Sequence, residues 1–149
     1  MADRIALFFS LLSAGVLAGN ELGTWAVAHP AVRRLRLAEE MRAEQEVTRR
    51  YGYFMPGLMI LAVVSTIVAA GLNEELDPRW CLFAAAACFA VMLAITLAGN
   101  VPINIRTLRF DPAGETGEWR RLRRRWDLLH TARIVLDVAA FVLLLVAAV

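Results

Sequence analysis

Trp126, His130, Arg133 and Asp137 follow one another at spacings of four, three and four, so a helix that carries them presents all four on one face. Histidine titrates near neutrality, and an imidazole beside a guanidinium and a carboxylate can take up and hand on a proton. Trp119, seven before Trp126, extends the stripe. Both tryptophans read either as interfacial belt residues or as ring contacts for a ligand. Arg133 and Asp137 have a second reading as an internal pair that neutralises both charges. Glu21 interrupts the N-terminal apolar run, and Asn100 and Asn104 flank Pro102 in Asn100-Val101-Pro102-Ile103-Asn104. Pro102 has no backbone N–H, so a helix is expected to kink or stop there and free carbonyls near Ala98 and Gly99. The two amides then either repair the broken turn or donate to a ligand oxygen.

The elements that position these groups are set by hydropathy. The chain has 149 residues, of which 59% are hydrophobic, and its mean hydropathy of +0.56 is too high for a soluble domain with a polar surface. Four apolar runs, Ile5 to Ala28, Tyr53 to Leu72, Trp80 to Val101 and Leu128 to Val149, meet or approach the ~20 residues that a helix needs to cross a bilayer. Their continuous apolar character argues against a membrane barrel, whose strands alternate. The expected fold is all-α, a single integral-membrane four-helix bundle over residues 1–149 with short connections and no internal repeat. Small residues, Ala14, Gly15, Ala18, Gly19 and Gly23 in the first run and Ala84 to Ala87 in the third, predict close helix contacts.

All 16 basic residues are arginine, which excludes lysine Schiff-base chemistry. Six arginines fall between His29 and Gly52, seven between Pro102 and Asp127, and one between Asn73 and Arg79. The positive-inside rule therefore puts the first and third connections in the cytoplasm and both termini on the non-cytoplasmic side of a multi-pass cell-membrane protein. The arginines suit orientation and lipid headgroups, and a formal charge of only +2 makes a nucleic-acid partner a poor explanation. Glu39, Glu40, Glu44 and Glu46 alternate with arginines and read as a solvated helix extension or interfacial segment laced by local pairs, or more plainly as a soluble connector, which is the expectation. Ala26-Val27-Ala28 has the form of a signal-peptidase site, but the apolar stretch is longer than a signal core and Glu21 breaks it, so cleavage is not expected. Cys81 and Cys88 are seven apart on one helix, too far to bridge, and read as small buried hydrophobes.

With ~1.5 Å of rise per residue, Glu21 sits roughly 10 Å inside the arginine-rich face, Arg133 at a similar depth, and Asn100 and His130 nearer the edge. An ionisable group at mid-membrane costs about 2.5 to 3.5 kcal/mol, so Glu21 is expected to pair with Arg133 or His130. Glu21 and His130 alone are a thin metal set, with His29 about two turns from Glu21 near the membrane edge, and no metal site is expected.

The Asn-Val-Pro-Ile-Asn element, the Trp119 to Trp126, His130 and Arg133 pattern, the first run ending at His29-Pro30 and the Tyr53-Phe54-Met55-Pro56 entry together resemble the anthrone-oxygenase-like family of small four-span membrane proteins. That resemblance implies oxidation of an anthrone, or a related hydrophobic phenolic substrate of polyketide tailoring, by molecular oxygen without a required flavin or metal. It leaves room for a metal or haem in the polar pocket. On this reading His130 is the base that takes the methylene proton, with Glu21 orienting it or serving as the base itself. Asn100, Asn104 and Arg133 hold the enolate oxygen, and Trp126, Trp25 and Tyr53 stack on the flat substrate. The rival expectation is a non-catalytic membrane partner or hydrophobic-ligand-binding protein whose polar cluster is structural. Membrane lipid is an expected partner on either reading, and a homo-oligomer stays open.

Overall fold

A computed structural model describes residues 1–73, 77, 79–113 and 116–149, and no strand occurs among them. Four helices in that set are long and apolar enough to cross a membrane: α1 (Ala2–Val32), α2 (Leu37–Leu72), α3 (Trp80–Arg109) and α4 (Thr116–Ala148). Residues 74–76 and 78, within the second connection whose charges were counted above, and 114 and 115 in the third lie outside the described residues. Each helix packs on its neighbours in sequence, and α4 closes the ring on α1. The protein is an all-helical membrane bundle. Its outward face is apolar, with Phe8, Ile60, Ile67, Phe83, Leu97 and Val135 all turned away from the core, as lipid contact requires.

The helices outrun the apolar runs. α2 begins at Leu37 rather than Tyr53, and α4 at Thr116 rather than Leu128, so the arginine-rich connections are mostly helical extensions of the spans. Heptad spacing explains why α4 stays packed throughout. Trp119, Arg123, His130, Arg133, Asp137, Ala140, Leu144 and Ala147 are all buried, and with Trp126 they form an unbroken stripe of fours and threes.

Neither Pro30 nor Pro102 ends its helix. Each is preceded by a π-helical turn, Thr24–Ala28 in α1 and Thr96–Asn100 in α3, closed by the bonds from His29 N–H to the Thr24 carbonyl and from Val101 N–H to the Thr96 carbonyl. A wider turn relieves the clash between a proline ring and the carbonyl four residues back, and it lets the helix run on. The stop that Pro102 could impose is thus avoided by a register change. In both helices the threonine six residues before the proline bonds back one turn, Thr24 Oγ1 to the Asn20 carbonyl at 2.8 Å and Thr96 Oγ1 to the Met92 carbonyl at 2.9 Å.

Small residues serve unequally. Ala14, Ala18 and Ala85 are buried, and Gly15 sits under the Phe141 ring, but Gly19 and Gly23 face open space and permit no close approach. Among the glycines described, the tightest contact is at Gly99, where an added Cβ would lie 2.7 Å from Leu129 Cδ1. Away from the arginine-rich end, hydroxyls join α1 to α2 through Ser10 and Thr66 at 2.7 Å and Ser13 and Ser65 at 3.3 Å. Cys81 is buried, Cys88 is half-buried, and both are free thiols.

Candidate functional site

Register decides which side chains meet. Glu21 and His29 are eight residues apart, which in a regular α-helix of 3.6 residues per turn separates them by about 80°. The extra residue of the π-turn removes about 100° from that difference and leaves the two about 20° apart, on one face. The same shift aligns Thr96 with Asn104 on α3. All four line one cavity of about 130 Å³ at the arginine-rich end of the bundle.

The α4 stripe supplies Trp126, His130 and Arg133 to its wall, and α2 supplies Glu44, Thr48, Tyr51 and Met55, again spaced by fours and threes. Pro56 adds an acceptor. It cannot donate to the Gly52 carbonyl one turn earlier, and both residues border the cavity. Tyr51 Oη lies 2.8 Å from Thr24 Oγ1 and donates to Asn20 Oδ1 at 3.2 Å, tying α2 to α1 across the wall.

Two buried carboxylates organise the interior. Arg133 Nη2 donates to Glu21 Oε1, and His130 Nδ1 lies 3.0 Å from Glu21 Oε2, so Glu21 meets both of its expected partners. Glu44, only 1% exposed, is placed the same way: His29 Nδ1 lies 2.9 Å from its Oε1 and Arg123 Nη2 2.9 Å from its Oε2. The solvated connector expected around Glu44 is therefore corrected at that position, while Arg36 with Glu39, and Arg49 and Arg50 with Glu46, do form local surface pairs. His29, expected near the membrane edge and not counted among the site residues, is buried inside the bundle, its ring centroid 5.8 Å from that of His130.

Trp126 packs against both imidazoles, with centroids 4.4 Å from His130 and 4.7 Å from His29, and the Arg123 guanidinium lies 4.6 Å over its ring. Its indole N–H donates to Asn104 Oδ1 at 2.8 Å, which fixes that amide at the wall. Trp119 is no belt residue: it is buried, and it donates to Glu40 Oε1 at 3.1 Å. Gln45 Nε2 binds the Thr107 and Phe110 carbonyls at 3.0 and 2.8 Å, so α2 caps the end of α3.

Not every candidate joins the cavity. Tyr53 is 85% exposed on the outer surface of α2, one residue past the wall residue Gly52 and two past Tyr51. Trp25, 49% exposed, borders a separate groove that shares His29 and His130 with the cavity. Asn100 is 0% exposed but is not a wall residue, and among the described residues its amide has no hydrogen-bond partner. Asp137 is equally enclosed; Arg133 turns to Glu21, and both Asp137 carboxylate oxygens lack a hydrogen-bond partner among the described residues. Both His130 ring nitrogens are buried and without a hydrogen bond among the described residues, Nδ1 meeting Glu21 Oε2 as an ion-pair contact at 3.0 Å. No three His, Cys, Asp or Glu side chains converge as a metal set among the described residues.

The anthrone oxygenase family model matches residues 45–143. This chain belongs to that family. The anthrone oxygenase match covers α3, most of α2 and α4, and with them Asn104, Trp126, His130 and Arg133. It stops short of Glu21, His29 and Glu44, the residues that complete the two carboxylate clusters. No curated protein and no solved structure matches the chain.

Sequence reasoning missed His29, Glu44, Arg123 and Tyr51. For Glu44 and Arg123 a signal was present, because the spacings Glu44, Thr48, Tyr51, Met55 and Trp119, Arg123, Trp126, His130 carry the buried faces of α2 and α4 straight through the charged segments. Reading those segments by charge alone hid it.

Proposed function

We propose that the protein is a membrane-embedded oxygenase that oxidises an anthrone, or a related hydrophobic phenolic ring, with molecular oxygen through base-assisted proton abstraction. The observation that carries this reading is His130: its Nδ1 is turned to Glu21, its Nε2 has no protein partner among the described residues, and it lines the cavity beside the Trp126 ring. A carboxylate on Nδ1 favours the tautomer whose Nε2 lone pair accepts a proton. Removing the acidic methylene proton of an anthrone leaves an electron-rich anion that reduces oxygen directly, so the chemistry needs a base and an oxyanion partner rather than an electron carrier. Asn104, held by Trp126, and Arg133, anchored by Glu21, are the donors for that oxygen.

Size bears on how such a substrate enters. A cavity of about 130 Å³ matches one benzene-sized ring, which an apolar void of about 150 Å³ accommodates. A fused three-ring substrate therefore inserts its reacting edge and leaves the remainder toward lipid, or parts the helices. Lipid is the natural reservoir for so apolar a compound. The arginine distribution supports an orientation with this end of the bundle in the cytoplasm and both termini outside the cell membrane.

The test is oxygen uptake and quinone formation by purified protein given an anthrone. Wild type is expected to exceed the protein-free rate, and His130→Ala to lose about 10²- to 10⁴-fold of the increment. The non-catalytic alternative draws on the two clusters as bundle locks. It gains if Glu21 and His130 substitutions lower the melting temperature while no oxidation above background exists to be lost.

A further inference from the structure

His29 takes no part in the scheme above, yet it has the same equipment as His130. Each imidazole has its Nδ1 on a buried glutamate, each glutamate is closed by an α4 arginine, both rings touch Trp126, and both line the one cavity. A lone base does not call for a second such unit.

Resting on the oxygenase reading, we propose that His29 is the acid partner of His130: it protonates the oxygen that departs when the peroxide formed on the substrate collapses to the quinone. Oxidising one CH2 to C=O with one O2 requires two C–H protons to leave carbon and one water to depart. In the first half, His130 Nε2 takes one methylene proton, and the carbanion passes two electrons, one at a time, to O2. A C–O bond forms, the O–O bond survives as peroxide, and His130 returns the proton to give a hydroperoxide.

In the second half, His130 takes the remaining proton of that carbon. The C–H electron pair becomes the second bond to the attached oxygen, the O–O bond breaks, and the outer oxygen leaves as hydroxide. A leaving hydroxide needs a proton as it forms, and the base that has just gained one is committed to the C–H side. His29, 5.8 Å from His130 centroid to centroid, supplies that proton and releases water; transfer from His130 back to His29 then restores both rings. The sum is one anthrone and one O2 to one quinone and one water. Glu44, itself closed by Arg123, holds the His29 ring by its Nδ1, so His29 acts as an acid in its imidazolium form: the second proton, on Nε2, is the one given to the departing oxygen and recovered from His130.

The experiment uses full-length protein in lipid nanodiscs with anthrone as the probe, following oxygen by electrode, quinone by absorbance and hydroperoxide by mass spectrometry of quenched samples. Wild type is expected to form one quinone per oxygen consumed. His29→Gln is expected to consume oxygen within about threefold of wild type, form quinone about 10²-fold more slowly, and accumulate hydroperoxide, whereas His130→Gln stops oxygen consumption itself. Should His29→Gln protein not accumulate, His29→Asn, which also leaves the Glu44–Arg123 pair in place, must show the same split between oxygen and quinone. An unaltered ratio and rate in whichever variant folds overturns the assignment and leaves the oxygenase reading intact. A wild type that consumes no oxygen above protein-free nanodiscs removes both.

Discussion

Arg123 and Arg133 lie ten residues apart on the buried stripe of α4, and each closes a glutamate that a different helix brings in, Glu44 from α2 and Glu21 from α1. One helix therefore neutralises both glutamates, while a third interior carboxylate, Asp137 on the same helix, makes no hydrogen bond among the described residues. Each glutamate has one oxygen on an arginine and the other beside a histidine Nδ1, which leaves the two imidazole rings as the groups free to exchange protons with a ligand.

Removing one side of either pair strands the other in a dry interior. Arg123→Ala is expected to destabilise the bundle by about 3 to 5 kcal/mol, because buried Glu44 would lose its arginine partner. Glu46→Ala, which breaks only exposed pairs with Arg49 and Arg50, is expected to leave the melting temperature where it is. Thermal unfolding in one detergent, wild type against both variants, reads the contrast; equal shifts would refute it.

The π-turn in α1 can be tested by length. Deleting Val27, an outward residue 68% exposed, turns that segment into a regular α-helix and preserves the face shared by Glu21 and His29. Inserting an alanine after Val27 rotates His29 by about 100° and leaves Glu44 without its imidazole. The deletion is expected to fold and retain activity, at some cost from the Pro30 clash, and the insertion to lose both. Detergent melting and turnover of the two variants check it, and a tolerated insertion would show that the register carries no weight.

Gly99 is expected to be sensitive to size and Gly19 not. A Cβ at Gly99 meets only the flexible tip of Leu129, so alanine costs about 1 kcal/mol, whereas valine overpacks by about 1 to 3 kcal/mol. Leu129→Ala should recover much of the valine loss in a double-mutant cycle, since the clash is between those two side chains. Gly19→Ala, with nothing within 4 Å, is expected to be neutral in the same melts.

Trp126→Phe keeps a ring against both histidines but loses the indole N–H that anchors Asn104. If Asn104 holds the enolate oxygen, the variant is expected to lose about 10- to 100-fold in kcat/KM with little change in melting temperature. Asn104→Ala in the same background should then add little. Independent, multiplicative losses would separate the tryptophan from the amide.

The sequence by itself determined the four spans, the arginine-rich end, the family pattern, and the convergence of Glu21, His130 and Arg133. Those follow from local rules: hydropathy sets span length, charge is costly in lipid, and fours and threes mark a helix face. Only the tertiary structure decided that His29 turns inward, that Glu44 meets His29 and Arg123, and that Tyr53 and Asn100 stand off the cavity wall. The physical reason is twofold. A constant 3.6-residue period misplaces everything beyond a π-turn by about 100°, and a carboxylate among surface charges becomes interior only when another helix arrives with the cation to receive it.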